Sequence, residues 1–228
     1  MSEHVVARID VVPEQRERFL RWLRDEHLPS AGDVPGLDPA PVVYRAQLVE
    51  TAIRTYRPEP EITIVYPLAA GATVHELAAS PTFLDWWAGA VTARFTWVAS
   101  HDWVACRRVH GPAEPIGGDR VLLTQVHVAP GHESGWARWY RERHVPDAEA
   151  VSGFFAGPMW QLEAFDVNAD GWHVAPRPRF THVLPLSDGA DWLTGTATRE
   201  FRALAADTQT TWAGAVEHVA SNLCERIA

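Results

Sequence analysis

Two stretches decide how this chain is read: Arg21-Trp22-Leu23-Arg24-Asp25-Glu26-His27-Leu28-Pro29 and Arg138-Trp139-Tyr140-Arg141-Glu142-Arg143-His144-Val145-Pro146, the second repeating the first 117 positions later. The match extends outward in both directions. Pro13 falls on Pro130, Gly36 on Gly153 and Pro41 on Pro158. A one-residue insertion then moves the offset to 118, after which Pro58 meets Pro176, Pro60 meets Pro178, and Thr63-x-Val65-x-Pro67-Leu68 meets Thr181-x-Val183-x-Pro185-Leu186. Gly71 meets Gly189, Phe83 meets Phe201, Cys106 meets Cys224 and Arg108 meets Arg226. Matches concentrated at Pro and Gly, in one order and with one insertion, mark an internal duplication.

Each copy has the same local grammar. Alternating apolar residues (Val5, Ala7, Ile9, Val11 and Leu122, Thr124, Val126, Val128) predict a strand, and Pro13 and Pro130 predict a helix start. The helix stacks Phe19, Trp22 and Leu23 in the first copy and Trp136, Trp139 and Tyr140 in the second. A glycine turn follows, then strands near 41–49 and 61–67 (158–165 and 179–185), helices within 72–91 (190–209), and a closing strand at 96–109 (214–227). This is an α+β chain of two tandem ferredoxin-like β-α-β-β-α-β units, copy one over 1–110 and copy two over 119–228, with the Pro/Gly-rich segment from His110 to Gly118 as connector. Each four-stranded antiparallel sheet would carry helices on one face only. Pairing the two bare faces within one chain predicts a pseudo-two-fold barrel, and hence a monomer or a weak homodimer.

Composition narrows the function classes. The 228 residues carry a net charge of −9, and all 20 basic residues are arginine. Without lysine, neither a Schiff-base mechanism nor a Walker-type phosphate loop is available. The arginines are interspersed with acids, as in Arg16-Glu17-Arg18 and Arg141-Glu142-Arg143, which argues against a nucleic-acid partner. No Gly-rich strand-turn-helix loop signals a dinucleotide, and no cofactor is expected. Cys106 and Cys224 are the only cysteines, fitting a reducing compartment, and at matching places in the closing strands they read as small buried hydrophobes. No apolar run is long enough for a membrane span and the first residues lack an export-signal pattern, so a cytoplasmic protein without a membrane partner is expected.

The W-[LY]-R-x-x-H-[LV]-P element followed by Pro35-Gly36-Leu37 or Ser152-Gly153-Phe154 resembles the dimeric α/β-barrel superfamily, especially its EthD-like branch, whose members carry a similar W-Y-x-x-E-H-x-P stretch before a Pro-Gly turn. The resemblance covers both halves. It implies the barrel fold, but the superfamily hosts cofactor-free cyclases, isomerases, small aromatic monooxygenases, haem-binding members and members without known activity. Of the family's functional positions, only the motif histidine carries over, onto His27 and His144.

Both histidines continue the inward stripe of their helices, four residues after Leu23 and Tyr140. Leu28-Pro29 and Val145-Pro146 are expected to end the helix there, placing each imidazole beside the negative dipole end. Burial and dipole would then oppose one another and hold the ring near neutrality, suited to acid/base work. The bland alternative is a histidine that fixes the turn. Copy two adds histidines where copy one has other residues: His127 opposite Asp10, His182 opposite Ile64 and His218 opposite Ser100. If His127 and His182 share a sheet face they would meet near His144, adjoining Gln125. Copy one offers Arg8 and Asp10 on one face of its first strand, with Tyr44 and Arg45 nearby. Arg8, Asp10, Gln125 and His127 make either a pocket or a seam in which they satisfy one another. Three histidines could ligate zinc or iron, yet helical His-x-x-x-His spacing is missing and no metal is expected. Among the tryptophans, Trp22, Trp136 and Trp139 suit a core. Trp86, Trp87, Trp97, Trp103, Trp160 and Trp212 exceed what core filling needs and suit an aromatic-walled pocket, with core packing the simpler account of any one of them.

These features point to a cofactor-independent enzyme acting by histidine acid/base catalysis on a hydrophobic aromatic or polyketide-like small molecule, as in the cyclases and isomerases of secondary metabolism. His144 and His127 are the leading catalytic candidates, with His182 and His27 in support; Gln125, Arg8, Asp10, Tyr44, Trp160 and His218 are the substrate-binding candidates. A cofactor-free monooxygenase on the same scaffold, or a non-catalytic binding protein, are the alternatives.

Overall fold

A computed structural model describes residues 2–47, 49–50, 55–56, 60–92, 96–112, 118–151, 153–169, 172–174 and 177–228. Pro58, Pro176 and residues 113–117 of the expected connector lie outside the described residues. The N-terminal half contributes strands β1 (Glu3–Val11), β2 (Val42–Ala46), β5 (Ile62–Pro67) and β6 (Val98–His110), and the short pair β3 (Val49–Glu50) and β4 (Thr55–Tyr56). The C-terminal half contributes β7 (Arg120–Val128), β8 (Trp160–Ala164), β11 (Phe180–Pro185) and β12 (Val216–Arg226), and the short pair β9 (Val167–Ala169) and β10 (Trp172–Val174). Eight of these close into one barrel in the order β1-β5-β2-β12-β7-β11-β8-β6. Every neighbouring pair is antiparallel. Taken half by half, the order reads β6-β1-β5-β2 and β12-β7-β11-β8, the same permutation twice.

Period-two alternation decides which residues face where. Val6, Val104, Leu123, Leu162 and Val183 fill the barrel lumen together with Cys106 and Cys224. Val5, Ala7 and Ile9 point outward beneath the N-terminal helices, and Leu122, Val126 and Val128 beneath the C-terminal ones. Burial pushes both thiols up to about 12, so they act as small hydrophobes there.

The motif helices do not end at His-x-Pro as expected. Helix α1 (Arg16–Trp22) widens into a π turn over Leu23–His27 and continues as α2 (Leu28–Ala31); α5 (Glu133–Trp139) does the same through Tyr140–His144 into α6 (Val145–Glu149). Leu28 N–H reaches back five residues to the Leu23 carbonyl, and Val145 N–H to that of Tyr140. A proline two residues after the histidine has no N–H to donate, and the wider turn carries the helix past it. The imidazoles thus sit mid-helix and not at a dipole end. The remaining helices are α3 (Val74–Ala78), α4 (Pro81–Thr92), α7 (Trp192–Ala197) and α8 (Arg199–Thr211). Thr73 and Glu76 form a reciprocal capping box on α3, and Thr198 caps α8 through the Phe201 N–H. Gly36 and Gly153, matched in the sequence, both hold positive φ (95° and 70°) in the turn after the motif helix.

The two junctions between halves carry complementary charges in the same sense. Where β2 meets β12, Arg45 of the N-terminal half pairs with Glu225. Where β6 meets β8, Arg107 of the N-terminal half pairs with Glu163 at 3.2 Å. Arginine always comes from the first half and glutamate from the second. Two N-terminal halves placed together would oppose Arg45 to Arg107, and two C-terminal halves Glu163 to Glu225, both repulsive.

Candidate active site

Beneath the C-terminal helices, one transverse row of the sheet is polar across all four strands. Ser221 on β12 lies opposite Thr124 on β7, Thr124 opposite His182 on β11, and His182 opposite Gln161 on β8. The row is hydrogen-bonded in two pairs: Thr124 Oγ1 and Ser221 Oγ are 2.8 Å apart, and Gln161 Nε2 lies 3.3 Å from His182 Nε2. The corresponding row in the N-terminal half reads Trp103, Ala7, Ile64 and Val43, in the same register and wholly apolar. Four buried apolar positions in one half have thus become polar in the other, at a desolvation cost that hydrophobic packing alone would not incur.

The π turn supplies the roof of this floor. Tyr140 stacks on His182 with ring centroids 3.9 Å apart and an interplanar angle of 13°. Trp136 lies 5.8 Å from His182 and 5.0 Å from Trp139, and Trp212 closes the cluster at 5.4 Å and 5.9 Å from these two tryptophans. A side chain at Gly135 would meet the Trp212 ring at 3.2 Å, so this glycine lets the indole lie against α5. His144 sits 5.0 Å from the rings of both Trp139 and Tyr140. Among the described residues, Trp136 Nε1, Trp139 Nε1, Trp212 Nε1, Tyr140 Oη and Gln161 Oε1 are buried without a hydrogen-bond partner.

The hydrogen bonds assign the His144 tautomer. Thr208 Oγ1 donates to the Leu204 carbonyl at 3.0 Å and lies 3.4 Å from His144 Nδ1. Its proton being spent on Leu204, Thr208 accepts from Nδ1–H and leaves the lone pair of His144 on Nε2. Burial pulls His144 down to about 4, with Asp207 acting in the opposite direction; Asp207 is itself held by Arg143 at 2.8 Å. His182 is driven well below its ordinary value, by burial first and by His144 second. His144 is not poised near neutrality as expected: with the helix continuing through the π turn, no dipole end opposes desolvation.

In the N-terminal half the motif histidine is locked in place. His27 Nε2 lies 2.7 Å from Tyr66 Oη, and its ring stacks on Trp86 at 4.5 Å and 13° and packs on Trp22 at 4.8 Å. Ser30 Oγ donates to the His27 carbonyl and accepts from Trp86 Nε1. The space beside His27, lined by Ile9, Phe19, Trp22, Leu23, Trp87, Val98 and His101, amounts to about 20 Å³, room for one water molecule.

The remaining sequence candidates face elsewhere. His127 lies opposite Glu217 on the lumen side, two residues along β7 from Gln125, whereas His182 shares the helix-covered face with Thr124. A cluster of His127 with His144 and His182 is therefore not formed; the strand positions were adjacent, but their side chains alternate to opposite faces. Gln125, Tyr44 and Trp160 also belong to the lumen, Trp160 beneath the Arg108 guanidinium at 5.0 Å. The mutual seam of Arg8, Asp10, Gln125 and His127 is not formed either. Arg8 is paired with Asp102, and Asp10 accepts from Ser100 Oγ at 2.6 Å and from the Glu61 N–H at 3.0 Å. The amide of Gln125 has no partner among the described residues. His218 pairs through its backbone with Val126, and its side chain lies outside the described residues. Sequence reasoning missed Gln161, Thr124 and Ser221 as site residues, and took Tyr140 as core. The signal was present in the aligned repeats as Val43 against Gln161, Ala7 against Thr124 and Trp103 against Ser221. Among the described residues, no group of three or more His, Cys, Asp or Glu could hold a metal ion. No described helix is long and apolar enough to cross a membrane.

No protein-family model and no curated protein matches the chain. Solved structures do. An anthrone oxidase-like protein superimposes with a TM-score of 0.63 at 10% identity, over 100% of this chain and 92% of the other. A candidate chlorite dismutase gives 0.56 at 10% identity, over 100% and 96%. A candidate monooxygenase from Lactobacillus acidophilus gives 0.53 at 10% identity, over 99% and 93%. At such identity the likeness concerns the fold: this chain shares the closed antiparallel α/β barrel of these proteins.

Proposed function

We propose that the chain is a cofactor-independent enzyme whose single active site lies between sheet and helices of the C-terminal half, acting by proton transfer on a hydrophobic aromatic or polyketide-like small molecule. The observation that carries this reading is the polar row Ser221-Thr124-His182-Gln161 under an aromatic roof, set against the apolar row of the other half. We read the chain as two ferredoxin-like units, 1–110 and 119–228, fused in tandem on the pattern of the EthD-like branch, with the first unit kept as scaffold.

His144 is the base. Its Nε2 lone pair accepts a proton from an acidic C–H or O–H of the substrate, and Asp207 steadies the imidazolium that forms. In the unliganded site desolvation holds this ring neutral, as a base must be; a developing enolate or phenolate beside it supplies the opposite charge that burial withholds. His182, fixed by Gln161 and stacked on Tyr140, lines the floor where the negative oxygen develops. Cyclisation and isomerisation both begin with this step.

A second reading is favoured by the fold likeness to an anthrone oxidase-like protein and to a candidate monooxygenase. The carbanion left by proton removal from a doubly benzylic methylene passes electrons to dioxygen, and the methylene plus O2 becomes a ketone plus water, with no external reductant. One experiment serves both readings. Incubated anaerobically in D2O with a hydroxylated anthrone, the protein should exchange the methylene hydrogens faster than buffer does, and His144→Ala should abolish the gain. Admitting air should then yield the quinone with one O2 consumed per ketone if the oxidative reading holds. Exchange no faster than buffer across anthrones, phenols and β-diketones would end the enzymatic proposal.

A further inference from the structure

Most buried polar atoms in folded proteins are hydrogen-bonded, and the exceptions ask for an explanation. In the C-terminal cluster most of the exceptions are donors. The indole nitrogens of Trp136, Trp139 and Trp212 can only donate, the Tyr140 hydroxyl can donate, and all four are buried without an acceptor among the described residues. The three indole rings pack within 5.0–5.9 Å of one another, and the Tyr140 ring lies 6.4 Å from Trp136. Trp136 and Tyr140 are 2% and 1% exposed. The N-terminal half places Phe19, Leu23 and Ile64 where this half has Trp136, Tyr140 and His182, and there the Trp86 indole finds its acceptor in Ser30 at 2.9 Å. Between sheet and helices, the unmet donors among the described residues lie in the C-terminal half; the Tyr44 hydroxyl of the other half, also without a partner, faces the barrel lumen. One buried acceptor, Gln161 Oε1, lacks a donor at the floor of the same cluster.

Taking the C-terminal cluster as the small-molecule site, we infer that it is a hydrogen-bond donor array for the ring oxygens of a flat polycyclic aromatic ketone or quinone, with Gln161 placed to accept from a phenolic hydroxyl of the same ligand. Stacked aromatic walls suit the flat face of such a molecule, and its carbonyl or phenolate oxygens supply the acceptors that the indoles lack. The array is built from N–H groups on apolar rings. That chemistry suits a neutral or delocalised oxygen better than a phosphate, which the bidentate fork of arginine would hold. A site with unmet donors discriminates strongly against an analogue that lacks the acceptor.

The test is equilibrium binding, which needs no turnover. Anthraquinone-2-sulfonate and anthracene-2-sulfonate share ring frame and solubilising group and differ in the two ring oxygens. Calorimetric titration should show the quinone binding at least about 10-fold more tightly. Trp136→Phe, Trp139→Phe and Trp212→Phe, which keep an aromatic ring and remove the N–H, should each weaken the quinone by roughly 10-fold while leaving the anthracene unchanged. Tyr140→Phe, which deletes one oxygen atom, gives the same readout should an indole replacement fail to fold. Equal affinity for the two ligands, binding of neither, or equal losses for both in the Phe variants would overturn the inference. Absence of turnover would sink the enzymatic reading while leaving this affinity ratio intact, so the two can fail separately.

Discussion

The two halves share strand order, π turns, turn glycines and the motif histidine, yet they use the space between sheet and helix in opposite ways. In the first, His27 is held by Tyr66 and sandwiched by Trp22 and Trp86, over an apolar row of sheet and beside room for a single water. In the second, His144 has a long bond to Thr208, over a polar row and among aromatic donors that have no acceptor among the described residues. In the first half the motif histidine is packed and hydrogen-bonded as part of the scaffold. The distinguishing information lies in what changed around it. Buried polar groups lower stability unless satisfied, so a row that buries His182 and Gln161 and leaves Gln161 Oε1 without a partner among the described residues calls for a use.

The largest expected effect separates the two motif histidines. His144→Ala should lower turnover by about 100-fold or more. His27→Ala should leave turnover within about 2-fold and lower stability by about 2–4 kcal/mol, because it empties a packed site and orphans the Tyr66 hydroxyl. Steady-state kinetics and urea unfolding of the two variants check this together. Next comes the conversion of the second half to the first: His182→Ile with Gln161→Val should abolish turnover while raising stability by about 1–3 kcal/mol, as buried polar groups give way to packed hydrocarbon. A loss of stability there would mean that the row is structural.

Acid sensitivity follows from the same rings. Burial holds His4 and His144 at about 4 against an ordinary 6.5, and drives His182 well below that ordinary value. Between those values the unfolded chain takes up protons that the folded chain refuses. Stability is therefore full above about pH 6.5 and declines toward pH 4, by about 1.4 kcal/mol per pH unit for each ring. Urea midpoints measured from pH 7.5 to 4.5 should show a slope that becomes shallower in His182→Ile. The smallest effect is expected at the seams. Arg45→Glu should cost about 1 kcal/mol by opposing Glu225, and Glu225→Arg in the same chain should restore it, as expected of partly exposed pairs.

Much of the architecture was legible because period-two and helical patterns occur twice, and agreement between copies placed the strands close to their observed limits, as with 61–67 expected and Ile62–Pro67 found. The helix continuing past Pro29 was not legible, since proline ordinarily stops a helix and only a π turn evades it. Face assignment failed for His127 because adjacency of strands does not give register; one residue of slip sends a side chain to the other side of the sheet. The Arg8 partner Asp102 needed the β1–β6 register, which links residues 94 apart in sequence. The polar row was recoverable in principle from the aligned repeats, but Thr124, Ser221 and Gln161 look unremarkable one at a time and mean something only once strand order sets them side by side.

Where a ligand binds distinguishes the two halves most directly. A crystal structure of the protein soaked with anthraquinone-2-sulfonate should show the rings between the C-terminal sheet and its helices, touching Tyr140, His182 and Trp212, with the His27 pocket unchanged. Density beside His27, or within the barrel lumen near Gln125 and Tyr44, would contradict it.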